Sequence, residues 1–177
     1  MSDDEYEDRL GNLATYNVAA SDAGWRIAYF SGPDLYRADA EAHGAMLKGL
    51  CARYMLHGLW PLDCGADPMD AKAVFAARTG MIRRTDVVIA NITSFRGPGL
   101  AGGTAWEIGF AAGLGKPVYA YTSDPRPYDE RAGGIMDGLT VTPKGMIDEL
   151  MVAGAIHGPF HSAETALYEA HIRRRMG

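Results

Sequence analysis

The stretch GGTAWEIGFAAGLGKPVYAY, residues 102–121, carries one acidic residue, Glu107, among small and apolar neighbours. Two kinds of chemistry suit such a carboxylate. Thr104-Ala105-Trp106-Glu107 matches the capping box, in which a Thr hydroxyl and a Glu carboxylate each satisfy a free amide of the first helical turn. The same helix would start at the carboxyl end of a buried strand, where open α/β sheets hold their ligands. A carboxylate there overlooks a pocket, and the positive end of the helix dipole would keep it ionised, as a nucleophile must be. Both readings stand on the residues alone.

The residues around it sort by the same weighing. In YFSGPDLY, 29–36, Tyr29 ends a strand and Ser31-Gly32-Pro33-Asp34 forms a turn. That is either an ordinary strand exit or a set of backbone amides and a hydroxyl facing the pocket of Glu107. Asp63, in PLDCG, suits a helix entry as well as a ligand contact. Gly97-Pro98-Gly99-Leu100-Ala101-Gly102 fits the dinucleotide pattern G-x-G-x-x-G, with Asp124 about 20 residues further on. Thr93, Ser94, Phe95 and Arg96, however, separate the strand from the first glycine, where that pattern needs a tight turn directly at the strand end. A glycine loop closing over a smaller ligand fits better. His157 and His161 are split by Pro159, which breaks any helix that would bring them to one face, so a metal site is not expected. No Gly-x-Ser-x-Gly elbow, Walker loop or His-Glu-x-x-His occurs.

The elements that must position these residues follow from periodicity. The 177 residues, 47% hydrophobic, suffice for one domain with a substantial core, expected over 25–177. Residues 1–24 read as a polar leader of the composition that stays disordered, and their acidic start is the opposite of a signal peptide. WRIAYFSG, 25–32, predicts a strand, followed by a helix within AEAHGAMLKGLCARYMLHG, 40–58; LWPLD, 59–63, predicts a second strand, and MDAKAVFAARTGMIRR, 69–84, a second helix. DVVIANI, 86–92, is apolar without alternation, the signature of a central parallel strand buried on both faces. A helix over 104–115 ends at Gly115, and KPVYAY, 116–121, forms a fourth strand. Residues 122–144 are too long for a plain connection and suggest a functional loop. A helix in GMIDELMVAG, a short strand in AIHGPF and a closing helix capped by Ser162 complete the chain. The alternation predicts parallel strands with helices on both faces.

Composition narrows the partners. The net charge is −5 and no basic stripe follows a phosphate backbone, so a nucleic acid polymer is not an expected partner. No apolar run approaches the roughly 20 residues that span a bilayer. Cys51 and Cys64 form no CxxC pair, and a reduced, cytoplasmic setting is the natural reading.

Taken in order, IAYFSGPDLYRADAE, CARYMLHGLWPLD, MIRRTDVVIANITSFRGP, GTAWEIGFAAGLGKPVYAYTSD and the later LM at 150–151 resemble the nucleoside 2-deoxyribosyltransferases. The resemblance spans about residues 26–157. It implies a flavodoxin-like, doubly wound sheet of about five parallel strands and a double displacement at the anomeric carbon of a nucleoside. Glu107 matches the nucleophile and Tyr29 the tyrosine that orients it, with substrate contacts at Ser31, Gly32, Pro33, Asp34, Asp63, Phe95, Arg96 and Gly97. Neither a metal nor an organic cofactor is implied. The partners would be a nucleoside or nucleotide and a free nucleobase, in a homo-oligomer whose subunits complete one another's sites.

Three positions depart from the family's pattern. Six residues before the nucleophile the family has Asp, and here stands Ala101. Where it has Asn or Asp near the base, here stands Arg78. Where Asn-Leu-Met reaches a neighbouring subunit's site, this chain has Glu149-Leu150-Met151. Losing a carboxylate that pairs a buried substrate group costs roughly 1–3 kcal/mol. Arg78 brings a fixed cation with forked donors that suits a phosphate or carboxylate, or pairs with Glu107 or Glu149. Three functions therefore stay open: transfer of 2-deoxyribose between bases, hydrolysis of a nucleoside or nucleotide N-glycosidic bond, and binding without turnover.

Overall fold

The computed structural model describes residues 24–133 and 145–173. The leader, apart from Gly24, and much of the 122–144 segment lie outside the described residues.

Five strands, β1 (Arg26–Ser31), β2 (Leu56–Leu59), β3 (Val87–Asn91), β4 (Val118–Tyr121) and β5 (His157–Phe160), form one sheet in the order β2-β1-β3-β4-β5. Every pairing is parallel. That is the flavodoxin-like doubly wound order, whose crevice opens between β1 and β3 at their carboxyl ends. β3 is central and buried at all five positions, as its unbroken apolar run requires.

The helices are α1 (Ala40–Arg53), α2 (Ala71–Arg84), α3 (Gly102–Gly113), α4 (Tyr128–Ala132), α5 (Leu150–Ala155) and α6 (Ala163–Arg173). Strand alternation divides the core into two layers. Ile27, Tyr29, Val88, Ala90, Val118 and Ala120 pack against Met81, Ile82, Ile108, Ala111 and Val152 of α2, α3 and α5. We call this the front face. Ala28, Phe30, Val87, Ile89 and Tyr119 meet Leu47 and Cys51 of α1 and Ala166, Leu167 and Ala170 of α6 on the reverse face.

Four boundaries differ from the sequence expectation. The second strand lies at Leu56–Leu59, not 59–63, and α1 stops at Arg53. Pro61 has no N–H to give a ladder, and the Asp63 carboxylate accepts the Trp60 N–H at 2.9 Å, folding Pro61–Cys64 into a 3-10 turn. α3 starts at Gly102 with Ala101 as its N-cap, two residues before the expected start at 104. Within the 145–154 stretch the helix begins only at Leu150, after Asp148 has turned its carboxylate onto backbone amides. Asp70 caps α2 and Ser162 caps α6, each accepting first-turn amides. Gly115 ends α3 at φ 70°, in the left-handed region that favours glycine. Among the described residues, no helix is long and apolar enough to cross a membrane.

Candidate active site

The earlier helix start decides what Glu107 does. Thr104 is the third helical residue and Glu107 the sixth, so the pair makes no capping box, and the Ala101 cap offers no side-chain hydrogen bond. Glu107 instead points from the second turn of α3 onto the front face of β1, only 6% exposed. Tyr29 and Ser31, two residues apart on β1, project from that same face. The Tyr29 hydroxyl donates to Oε1 at 2.9 Å and the Ser31 hydroxyl to Oε2 at 2.5 Å. The third neighbour is Arg78 on α2, whose Nη1 lies 4.0 Å from Oε1.

Electrostatics follow from this enclosure. Burial pushes the Glu107 carboxyl above the usual glutamate range, against the pull of the Ser31 and Tyr29 hydrogen bonds and the Arg78 charge. Burial, and not the helix dipole, is the first influence on its ionisation. In the second turn the dipole has largely faded, and desolvation is the larger influence. Tyr29 is itself raised well above a free phenol, first by burial and then by the adjacent carboxylate. It therefore stays protonated and donates to the carboxylate.

The other expected site residues divide by where their side chains go. Gly32 holds the close approach after β1: at φ 156°, a Cβ built there would lie 2.7 Å from the Cβ of Asn91. Pro33 then starts a 3-10 turn over Pro33–Tyr36. Asp34 does not turn toward Glu107. Its Oδ2 accepts from Asn91 at 2.7 Å and from Tyr121 at 3.3 Å, side chains that alternate onto the reverse face. Asp63 is taken up by the Trp60 amide and by Lys48, 2.8 Å away. Phe95 closes the glycine loop through its N–H to the Gly99 carbonyl at 2.9 Å and stacks on Tyr36 with centroids 5.1 Å apart. Arg96, at φ 55°, lays its guanidinium over the Phe95 ring at 4.8 Å. A Cβ at Gly97 would meet open space, so that loop edge is uncrowded. Ala101 is buried at the helix cap. Glu149 and Met151 stand on the outer side of α5, Met151 85% exposed, while α5 itself packs against α3.

One group of supporting residues carried no sequence signal. Arg131 of α4, its side chain 3% exposed, donates to Ser94 Oγ at 2.6 Å and to the Ile147 carbonyl, and its Nη2 lies 3.6 Å from Asp148 Oδ2. Asp148 in turn accepts the Leu100 N–H at 3.3 Å. This buried pair ties the glycine loop, which leads into α3, to the segment that leads into α5. An arginine and an aspartate 17 positions apart in polar stretches show no periodicity to find them by.

A flavodoxin-like α/β protein with a buried carboxylate held by two hydroxyls of the first strand, at the switch point of its sheet, belongs to the class that works on ligands bound above the strand ends. The comparisons make the class specific. A family model described as nucleoside 2-deoxyribosyltransferase matches residues 28–151, and the chain belongs to that family. Among solved structures, a 2-desoxiribosyltransferase from Leishmania mexicana is similar at TM-score 0.71 and 30% identity, over 84% of this chain and 95% of that one. A 2-deoxyribosyltransferase from Bacillus psychrosaccharolyticus shares the fold at TM-score 0.53 and 18% identity, over 80% and 90% of the two chains. An uncharacterised protein of Schizosaccharomyces pombe is 27% identical over 175 residues, 80% of this chain and 83% of that protein.

Proposed function

We propose that this chain moves a 2-deoxyribosyl group between nucleobases through a covalent ester on Glu107. The observation that carries the reading is the clamp on that carboxylate: one hydroxyl on each oxygen, both from β1, in a side chain only 6% exposed. In the first step a Glu107 oxygen bonds to C1′ of the nucleoside. The C1′–N bond breaks with its electron pair leaving on the base nitrogen, which takes up a proton. In the second step a nitrogen of another base bonds to C1′, the ester C–O bond breaks, and the carboxylate is restored as the incoming base loses a proton. Two inversions give retention, as in the carboxylate chemistry of retaining glycosidases. Tyr29 and Ser31 fix the carboxylate plane before substrate arrives, so little of the reaction barrier goes into orienting it.

Arg78 supports a second reading, hydrolysis of a nucleotide. Its Nη1 lies 4.0 Å from Glu107 Oε1, a cation beside the nucleophile that an anionic substrate group would also pair with. The deciding experiment incubates 2′-deoxynucleosides and 5′-nucleotides with and without a second base and follows products by chromatography. Transfer gives the new nucleoside only when the second base is present; hydrolysis gives free sugar or sugar phosphate regardless. Glu107→Ala abolishes either, and a wild-type intermediate carries a deoxyribosyl mass on the Glu107 peptide. Undiminished turnover by Glu107→Ala refutes the reading, and tight binding without turnover identifies a non-catalytic binding protein.

A further inference from the structure

A concave site lies on the other side of the sheet from Glu107. A cleft of about 660 Å³ opens on the reverse face at the carboxyl ends of β1, β3 and β4, walled by Met46, Leu47 and Leu50 of α1 and by the start of α6. Glu107, Tyr29 and Arg78 do not line it; the sheet stands between. Its size falls within the range of small-molecule sites, and its place at the carboxyl ends of the strands satisfies the rule for open α/β sheets.

Its chemistry is specific. Arg37 on the rim is already paired with Asp39 at 2.8 Å, Glu164 with Arg53 at 2.8 Å, and His161 bonds Thr165 at 3.0 Å. On the floor the position is different. Asp34 spends Oδ2 on Asn91 and Tyr121, while its Oδ1 stands 3.6 Å from His43 Nε2, beyond hydrogen-bond reach. His43 Nε2 is buried without a hydrogen-bond partner among the described residues. A buried polar atom left in that state is costly unless something completes it. Side by side, the two atoms present an acceptor and, in the tautomer protonated at Nε2, a donor. The edge that matches them is an amino group next to a ring nitrogen: the amino N–H to Asp34 and the ring nitrogen to His43. Flat aliphatic and aromatic walls, with the stacked Tyr36 and Phe95 at the mouth, suit a planar ring. An anion meets the Asp34 carboxylate instead.

We propose that this reverse-face cleft is a second binding site, taking a free amino-substituted nitrogen heterocycle of the adenine type. The inference does not rest on the reaction assigned to Glu107. The test is calorimetric titration of the full chain with adenine, with purine, which lacks the amino group, and with hypoxanthine, which has a carbonyl in its place. Adenine binds, and both analogues bind about tenfold weaker or worse, the cost of leaving a buried partner unpaired. His43→Phe, which keeps a ring against Trp60, weakens adenine by a similar factor. Met46→Trp, a substitution at a half-exposed position that fills the cleft from α1, blocks it. Arg78→Ala on the front face leaves this binding in place. The proposal is overturned if adenine gives no heat at millimolar concentration or if purine binds as tightly. It is equally overturned if a cooperatively folded Met46→Trp variant binds like the wild type, or if binding is lost in Arg78→Ala but kept in Met46→Trp.

Discussion

Replacing Tyr29 by Phe removes one hydroxyl and keeps the ring that fills the core. That hydroxyl bonds Glu107 Oε1 at 2.9 Å, with tyrosine and carboxylate both buried. A hydrogen bond to an ionised group contributes about 1.5–3 kcal/mol. It favours the charged form, so its loss raises the carboxyl pKa further. The attacking carboxylate must be ionised, so the acidic limb of kcat/KM moves to higher pH, and below the limb the rate falls by the factor those 1.5–3 kcal/mol represent, about tenfold to a hundredfold. Above the limb the loss is small, because the remaining carboxylate is still held by Ser31. Below it the loss grows with each step down in pH. Stability follows the same linkage: the variant's folded pKa is the higher of the two, so its deficit is present where the wild-type Glu107 is ionised. That deficit disappears as pH falls through the wild-type folded pKa. Initial rates of base release across the pH range, with urea unfolding at matching pH values, measure both. A limb that stays in place with a uniform loss at every pH would refute the reasoning, since the phenol would then not be bonding the ionised carboxylate.

Glu107→Gln removes the buried charge and with it turnover. Because burial raises the wild-type folded pKa above the unfolded value, wild-type stability falls as pH rises between the two, and the variant's relative stability increases over that window in urea titrations. Arg78→Gln also raises the acidic limb, by less than Tyr29→Phe, since the ion pair spans 4.0 Å and the arginine is 22% exposed; a pH–rate profile ranks the two. Asp148→Ala leaves the buried Arg131 cation without its counter-charge and lowers unfolding stability by about 3–5 kcal/mol in denaturant titration.

The parts of the fold that could be read from sequence are those where one physical cause acts locally. Val87–Asn91 announces a central strand because burial on both faces removes alternation, and Gly115 marks a helix end because the left-handed turn there favours it. The start of α3 was misplaced because Gly102 and Gly103 are poor helix formers, yet they are helical once Ala101 is set by the strand and loop before it. The second strand was misplaced because Leu59-Trp60 is as β-prone as Leu56–Leu59, and only the Asp63 side chain decides that the chain turns at Pro61. At the site, Glu107 and Tyr29 were legible through their surroundings. The destination of Asp34 was not: it depends on Asn91 and Tyr121, 57 and 87 positions away. The Arg131–Asp148 pair likewise exists only after α4 has folded back onto the glycine loop.

Because both hydroxyls that grip Glu107 come from the pleat of β1, its carboxylate is indexed to the sheet and not to any loop. The surfaces that would sort one ligand from another, Phe95 to Gly99 and the outer side of α5, hang on separate segments. Chemistry and discrimination are thus carried by mechanically separate parts. Under the function proposed above, the length and side chains of those segments can drift while the Glu107 oxygens keep their coordinates. A lineage built this way is free to change what it acts on long before it loses the ability to act.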